Sequence, residues 1–210
     1  MLLKILNEGD IVSASALLSP NYSNRKLLLT SNGFENPRLG KLFLDIINIQ
    51  PNKIRVLFIT TAAIDTESKS ILPECYNELY RLGIEEDNIT TINDLNHLSL
   101  KDLSTNYDVI YMAGGDEQYL IDYINNSDFR NTLLSLINDY GKFYIGVSAG
   151  TCICSNCVNN SLGIIPNRVD VHCTKDIAIP GNIPSDPRID INLSSNQAIV
   201  INGNIIQIVE

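Results

Sequence analysis

The residues with the clearest capacity for chemistry are Gly146-Val147-Ser148-Ala149-Gly150, set at the end of the apolar run Phe143–Val147. Gly-x-Ser-x-Gly after a buried strand is the sequence form of a sharp strand-to-helix turn. The serine sits at its apex in strained backbone geometry, with its hydroxyl lifted clear of the sheet. Glycine flanks it because the turn brings backbone segments too close for a Cβ. Backbone N–H groups at the start of the following helix can hold an oxyanion. Ser148 is therefore expected to be a nucleophile for acyl transfer.

A serine nucleophile needs a base, and the chain offers only His97 and His172. His97 lies in a polar stretch that suits a surface loop. His172 ends Val169-Asp170-Val171 and is the one histidine downstream of the serine. A lone histidine is more often structural than catalytic, but its pairing with a Gly-x-Ser-x-Gly serine makes His172 the expected base. Gly114-Gly115 ends another apolar run and precedes a helical pattern. Such a turn lets backbone approach a ligand, so the N–H of Gly115 is expected to complete an oxyanion hole with that of Ala149. The plainer alternative is a turn with Asp116 as helix N-cap.

Cys152-x-Cys154-x-x-Cys157, with Cys173 next to His172, has ligand types that zinc accepts. On a helix, however, residues 154 and 157 share a face from which 152 is displaced. A helix leaving such a turn is normally buried, and cysteine is a common small core residue there. Structural thiols are the preferred reading, with no metal and no cofactor. The five cysteines are odd in number, which argues against a disulfide framework and for a reduced, cytoplasmic compartment.

Elements that position these residues follow from periodicity. Near-continuous apolar runs predict strands at 26–31, 54–60, 89–92, 109–113 and 143–147, and helical spacing predicts helices at 37–49, 65–82, 118–125 and 129–140. Their alternation implies an α/β fold, a three-layer sandwich with a mostly parallel central sheet. In such sheets the site forms at the carboxyl ends of strands. Three ends carry suggestive residues: Leu29-Thr30-Ser31-Asn32-Gly33-Phe34, Ala113-Gly114-Gly115-Asp116-Glu117, and the serine turn. Beyond Ser148 the helical spacing fades, and Asn202-Gly203 between two apolar segments reads as a terminal hairpin.

At 210 residues the chain suits one domain over 1–210, with residues 1–24 as an N-terminal extension that packs on the core or forms a subunit contact, as in a homodimer. The apolar start is cut by Glu8-Gly9-Asp10, too early for a signal peptide, and no run approaches the ~20 apolar residues of a membrane span. A net charge of −9 without any Lys/Arg cluster argues against nucleic acid as partner.

Taken together, the Leu-Thr-Ser-Asn-Gly, Ala-Gly-Gly-Asp-Glu-Gln-Tyr-Leu, Gly-Val-Ser-Ala-Gly and Leu162-Gly-Ile-Ile-Pro166 segments, in that order and followed by His172, resemble the peptidase E (aspartyl dipeptidase) family. The resemblance runs from about Lys26 to the C-terminus. It implies a class I glutamine-amidotransferase-like fold, cleavage of small peptides without a metal, Ser148 as nucleophile, His172 as base, and Gly115 with Ala149 as oxyanion hole. Four residues in three segments depart from the family's pattern. Asp116-Glu117 replaces the usual Asn-Thr, Ser195 aligns with the acidic third member of the catalytic group, and Ser185 stands where an arginine is typical, leaving Arg188. Ser195 Oγ or the Asn196 amide oxygen would then orient the imidazole, or Asp176, Asp186 or Asp190 would swing in. Asp116 and Glu117 would repel an acidic substrate that Arg188 alone must hold, so neutral or basic first residues are expected to be preferred over aspartate. The alternative function is a catalytically impaired binding or regulatory protein.

Overall fold

The computed structural model describes residues 22–210. The N-terminal extension expected over residues 1–24 falls, as far as residue 21, outside the described residues.

Strand β1 (Lys26–Thr30) is followed by helix α1 (Pro37–Ile47), β2 (Val56–Ile59), α2 (Thr66–Arg81), β3 (Ile89–Ile92), α3 (Leu100–Asn106) and β4 (Val109–Met112). Helices α4 (Glu117–Asn126) and α5 (Phe129–Asn138) lead to β5 (Phe143–Val147) and the one-turn helix α6 (Ala149–Cys152). Short strands β6 (Val169–Asp170), β7 (Gly181–Asn182) and β8 (Ile191–Asn192) precede a hairpin of β9 (Ala198–Asn202) and β10 (Ile205–Val209). The fold is thus the mixed α/β sandwich with a large, mostly parallel sheet that the sequence implies.

Local chemistry explains the element ends. Helix α1 starts at Pro37 with the Asn36 side chain accepting the N–H of Arg38, and α2 starts where Asp65 accepts the N–H of Ser68. Helix α1 stops two residues short of the predicted end because Asn48 turns left-handed at φ 54° and closes the last turn. Helix α3 was not legible: only Leu103 is buried in its seven residues, so apolar spacing carries almost no signal.

The large sheet has the order β3-β2-β4-β5-β1-β9-β10-β7. Strands β3, β2, β4, β5 and β1 are parallel, and the hairpin adds antiparallel strands beside β1. Alternate side chains of each strand feed two separate cores. Leu27, Leu29, Ile110, Met112 and Tyr144 face helices α3 to α5, whereas Leu28, Val109, Tyr111, Phe143 and Ile145 face α1 and α2. Burial on both faces explains why the strands read as unbroken apolar runs. The order also makes β4, β5 and β1 adjacent, so the three strand ends carrying Gly114-Gly115, Ser148 and Ser31 lie side by side. Among the described residues, no helix is long and apolar enough to cross a membrane.

Candidate active site

Ser148 occupies the apex between β5 and α6 with φ 50° and ψ −105°, a conformation that costs a non-glycine residue about 1–3 kcal/mol. Its surroundings hold it there. The Ser148 N–H donates to the carbonyl of Thr30 at 3.1 Å, and Thr151 Oγ1 donates to the carbonyls of Thr30 and Gly146 at 2.7 and 2.9 Å. The Tyr144 hydroxyl, inside the core, donates to the Gly150 carbonyl at 2.7 Å. A Cβ on Gly146 would strike the Gly150 carbonyl, and one on Gly150 would strike that of Met112. The motif's glycines are therefore fixed by backbone contact with β4 and within the turn.

His172 reaches the serine from the far side. The small sheet of β6 and β8 carries it: the Leu193 N–H donates to the Asp170 carbonyl at 2.8 Å, and the Cys173 N–H to the Leu193 carbonyl at 2.9 Å. The residue itself is left-handed, φ 58°, which turns the ring toward β5 and β1. Its Nε2 lies 2.9 Å from Ser148 Oγ. Nδ1 lies 3.4 Å from Ser31 Oγ, and the same hydroxyl oxygen accepts the backbone N–H of His172 at 2.7 Å. If Nε2 is to take the serine proton, Nδ1 must carry the ring proton, and Ser31 is then its acceptor. Partial burial lowers the His172 pKa from the ordinary 6.5, with no carboxylate offsetting it.

Ser195 and its alternatives lie elsewhere. Ser195 belongs to the 194–197 turn before β9, whose Gln197 carbonyl receives the Ser31 N–H, but the ring's hydrogen bonds go to Ser148 and Ser31. The Asp186 carboxylate is held by Arg188 at 2.7 Å, and Asp176 and Asp190 are exposed without a bond to the ring. Ser31 was within reach of sequence reasoning, since it ends a strand with a suggestive polar segment. Only the sheet order shows that this end adjoins Ser148.

The Gly114-Gly115 turn abuts the serine: a Cβ on Gly114 would stand 3.2 Å from Ser148 Cβ. Gly115 adopts φ 140°, and a Cβ there would collide with the Ala62 carbonyl, so only glycine fits. Neither Gly115 nor Ala149 donates its N–H to a backbone carbonyl of the described turns and loops. Asp116 is the N-cap of α4, its carboxylate accepting the Tyr119 N–H at 2.7 Å, and Glu117 follows in the first helical turn. Neither lines the cleft beside Ser148, and Arg188 is exposed and paired with Asp186. The cleft, about 620 Å³, runs from Ser148, His172 and Gly115 along the 31–35 turn to one face of α2. Sequence reasoning missed that face entirely.

Cys152 and Cys157 meet side chain to side chain, whereas Cys154 bonds elsewhere. Cys152 Sγ points to the Val169 carbonyl at 3.9 Å and Cys154 Sγ to the Gly150 carbonyl at 3.6 Å. Among the described residues, no three His, Cys, Asp or Glu side chains gather to hold a metal ion.

A strand-to-helix serine turn of this build, facing a histidine at the carboxyl ends of a parallel sheet, invites comparison with known proteins. No curated protein matches the chain. Solved structures that share its fold include the following two. One is a protein from Listeria monocytogenes EGD-e named for peptidase E, with TM-score 0.67, 21% identity, and 89% of this chain and 98% of that one covered. The other is a peptidase from an acI-B1 Actinobacterium, with TM-score 0.65, 23% identity, and coverage of 88% and 87%. Residues 27–167 match peptidase family S51, a span of more than half the chain that includes all of β1 but its first residue, the Gly114-Gly115 turn and the Ser148 elbow. The chain belongs to peptidase family S51.

Proposed function

We propose that this protein is a serine hydrolase that cleaves small peptides or related amides. The observation that carries the reading is the 2.9 Å approach of His172 Nε2 to Ser148 Oγ, with the serine held at a strained apex between β5 and α6. Ser148 Oγ attacks the carbonyl carbon while Nε2 takes the hydroxyl proton. The N–H groups of Gly115 and Ala149 stabilise the oxyanion of the tetrahedral intermediate. Nε2 then gives its proton to the amine nitrogen as the C–N bond breaks. Water next attacks the acyl carbon and gives a proton to His172 Nε2, which passes it to Ser148 Oγ as the ester bond breaks and the acid leaves.

Ser31 plays the part a carboxylate usually fills. A neutral acceptor keeps the ring oriented but stabilises the imidazolium less, and replacing the acid of a full triad costs about 10⁴ in turnover. That favours slow catalysis, and it supports a second reading of the same cleft as a binding site with little turnover.

The two readings separate in a pH profile. Because burial without a compensating anion lowers the His172 pKa, the ring stays neutral and able to accept a proton below pH 6.5. Protonation on acidification removes the base, so kcat/KM for a small peptide is expected to fall on an acidic limb centred below 6.5. A limb at or above 6.5 contradicts the environment described for His172. Binding without hydrolysis at any pH favours the second reading.

A further inference from the structure

The face of α2 that borders the cleft presents Glu67, Ile71, Glu74, Glu78 and Arg81, spaced by three and four residues so that they share one side of the helix. Asp65, the N-cap of α2, and Glu35, on the turn after β1, extend the same wall. Five carboxylates therefore line the cleft against one guanidinium, and that guanidinium is already bound to Glu74 at 2.6 Å. Low-dielectric walls of one sign focus the field and raise the local concentration of the opposite charge.

Glu78 differs from the rest. It is only 6% exposed, yet it lines the cleft. Its Oε2 accepts the N–H of Phe34 at 2.9 Å, and Oε1 has no hydrogen-bond partner among the described residues. A buried carboxylate with an open lone-pair face is short of compensation, and burial accordingly raises its pKa. The turn that holds it, 31–34, also carries the Ser31 that touches His172. Gly33 packs directly against the Glu78 carboxylate, where a Cβ would collide with Oε2. The carboxylate therefore sits within a few residues' reach of the reacting centre, at the inner end of an acidic wall.

We infer that the cleft selects substrates with a cationic side chain, lysine or arginine in a small peptide, with Glu78 pairing the cation and the exposed acids of α2 steering it in. The inference rests on the reading of the Ser148 cleft as the substrate site. It moves the source of selectivity from Asp116, Glu117 and Arg188, which do not line the cleft, to α2. An aspartyl side chain entering the same space would meet Glu78, Glu35 and Glu67 without a free cation, since Arg81 is held by Glu74.

Calorimetry on the full-length Ser148→Ala protein with lysyl-alanine amide, norleucyl-alanine amide and aspartyl-alanine amide tests it without requiring turnover. The lysyl compound is expected to bind about tenfold tighter than its neutral norleucyl counterpart, and the aspartyl compound weakest. In Glu78→Gln, which retains an oxygen to accept the Phe34 N–H, the lysyl-to-norleucyl ratio is expected to fall about tenfold. In the exposed Glu74→Gln variant, which releases Arg81 and leaves the core untouched, it should fall about threefold. Tighter binding of the aspartyl compound, a ratio unchanged by both substitutions, or no lysyl binding at millimolar concentration overturns the inference. Fluorophosphonate labelling of the wild-type protein separates the two layers. Lysyl preference with an unreactive Ser148 removes the hydrolase reading alone, whereas a labelled Ser148 without that preference removes the selectivity alone.

Discussion

Replacing either Ser148 or His172 by alanine is expected to lower kcat by about 10⁴–10⁶, and replacing both should cost no more than the worse single change. The reason is that the two act as one unit. Without the imidazole 2.9 Å away, the serine hydroxyl is a weak nucleophile at its ordinary pKa, and without the hydroxyl the base has nothing to activate. The residual rate would come from binding and the oxyanion donors. Because a partner as weak as Ser31 lowers the wild-type rate, the loss should lie toward the smaller end of that range. Single-turnover measurements on the three variants check this. Multiplicative losses in the double variant would mean that Ser148 and His172 work independently, against the proposed mechanism.

The second large effect is at Gly115. Gly115→Ala is expected to reduce kcat by about 10²–10³, the cost of losing one oxyanion donor. At φ 140° a Cβ strikes the Ala62 carbonyl, so the 113–116 turn must shift and carry its N–H away from the reacting carbonyl. The Asp116 N–H also donates to that carbonyl at 2.9 Å, so the displacement has a definite direction, outward from β2. The effect should fall on kcat more than on KM, because the oxyanion exists only in the transition state and intermediate. A urea titration run alongside reports the accompanying loss of stability. A variant that folds and turns over at the wild-type rate would place the second donor elsewhere.

How far the site could be read from the chain depended on whether its parts were local. The elbow was legible because an apolar run and its glycines lie within eight residues of sequence, from Phe143 to Gly150, and the contacts of Gly146 and Gly150 show why no other residue fits. The strands were legible because both faces are buried. Ser31 was not identifiable as the ring's partner, because it precedes His172 by 141 positions and meets it only where the β6–β8 sheet brings His172 over the adjacent ends of β1 and β5. Ser195 aligns with an acidic position, yet the turn that carries it contacts the site through the Gln197 carbonyl, which accepts the Ser31 N–H. Asp116 and Glu117 looked available to a ligand, but a carboxylate ahead of a helix is captured by that helix's own N–H groups, as Asp116 is by Tyr119. Arg188 was claimed by its near neighbour Asp186. The acidic stripe of α2 was present in the spacing of Glu67, Glu74 and Glu78. Which way that stripe faces is decided by where β1 and β2 place the helix.

The most direct test of the central claim is reaction of the full-length protein with a fluorophosphonate, followed by mass spectrometry of its peptides. Phosphonylation needs an activated serine hydroxyl, and the chain places Ser148, Ser31 and Ser68 together along the cleft as internal competitors. The account requires one adduct, on Ser148, formed in the wild-type protein and abolished in His172→Ala. An unlabelled Ser148, or labelling that persists without His172, would contradict it.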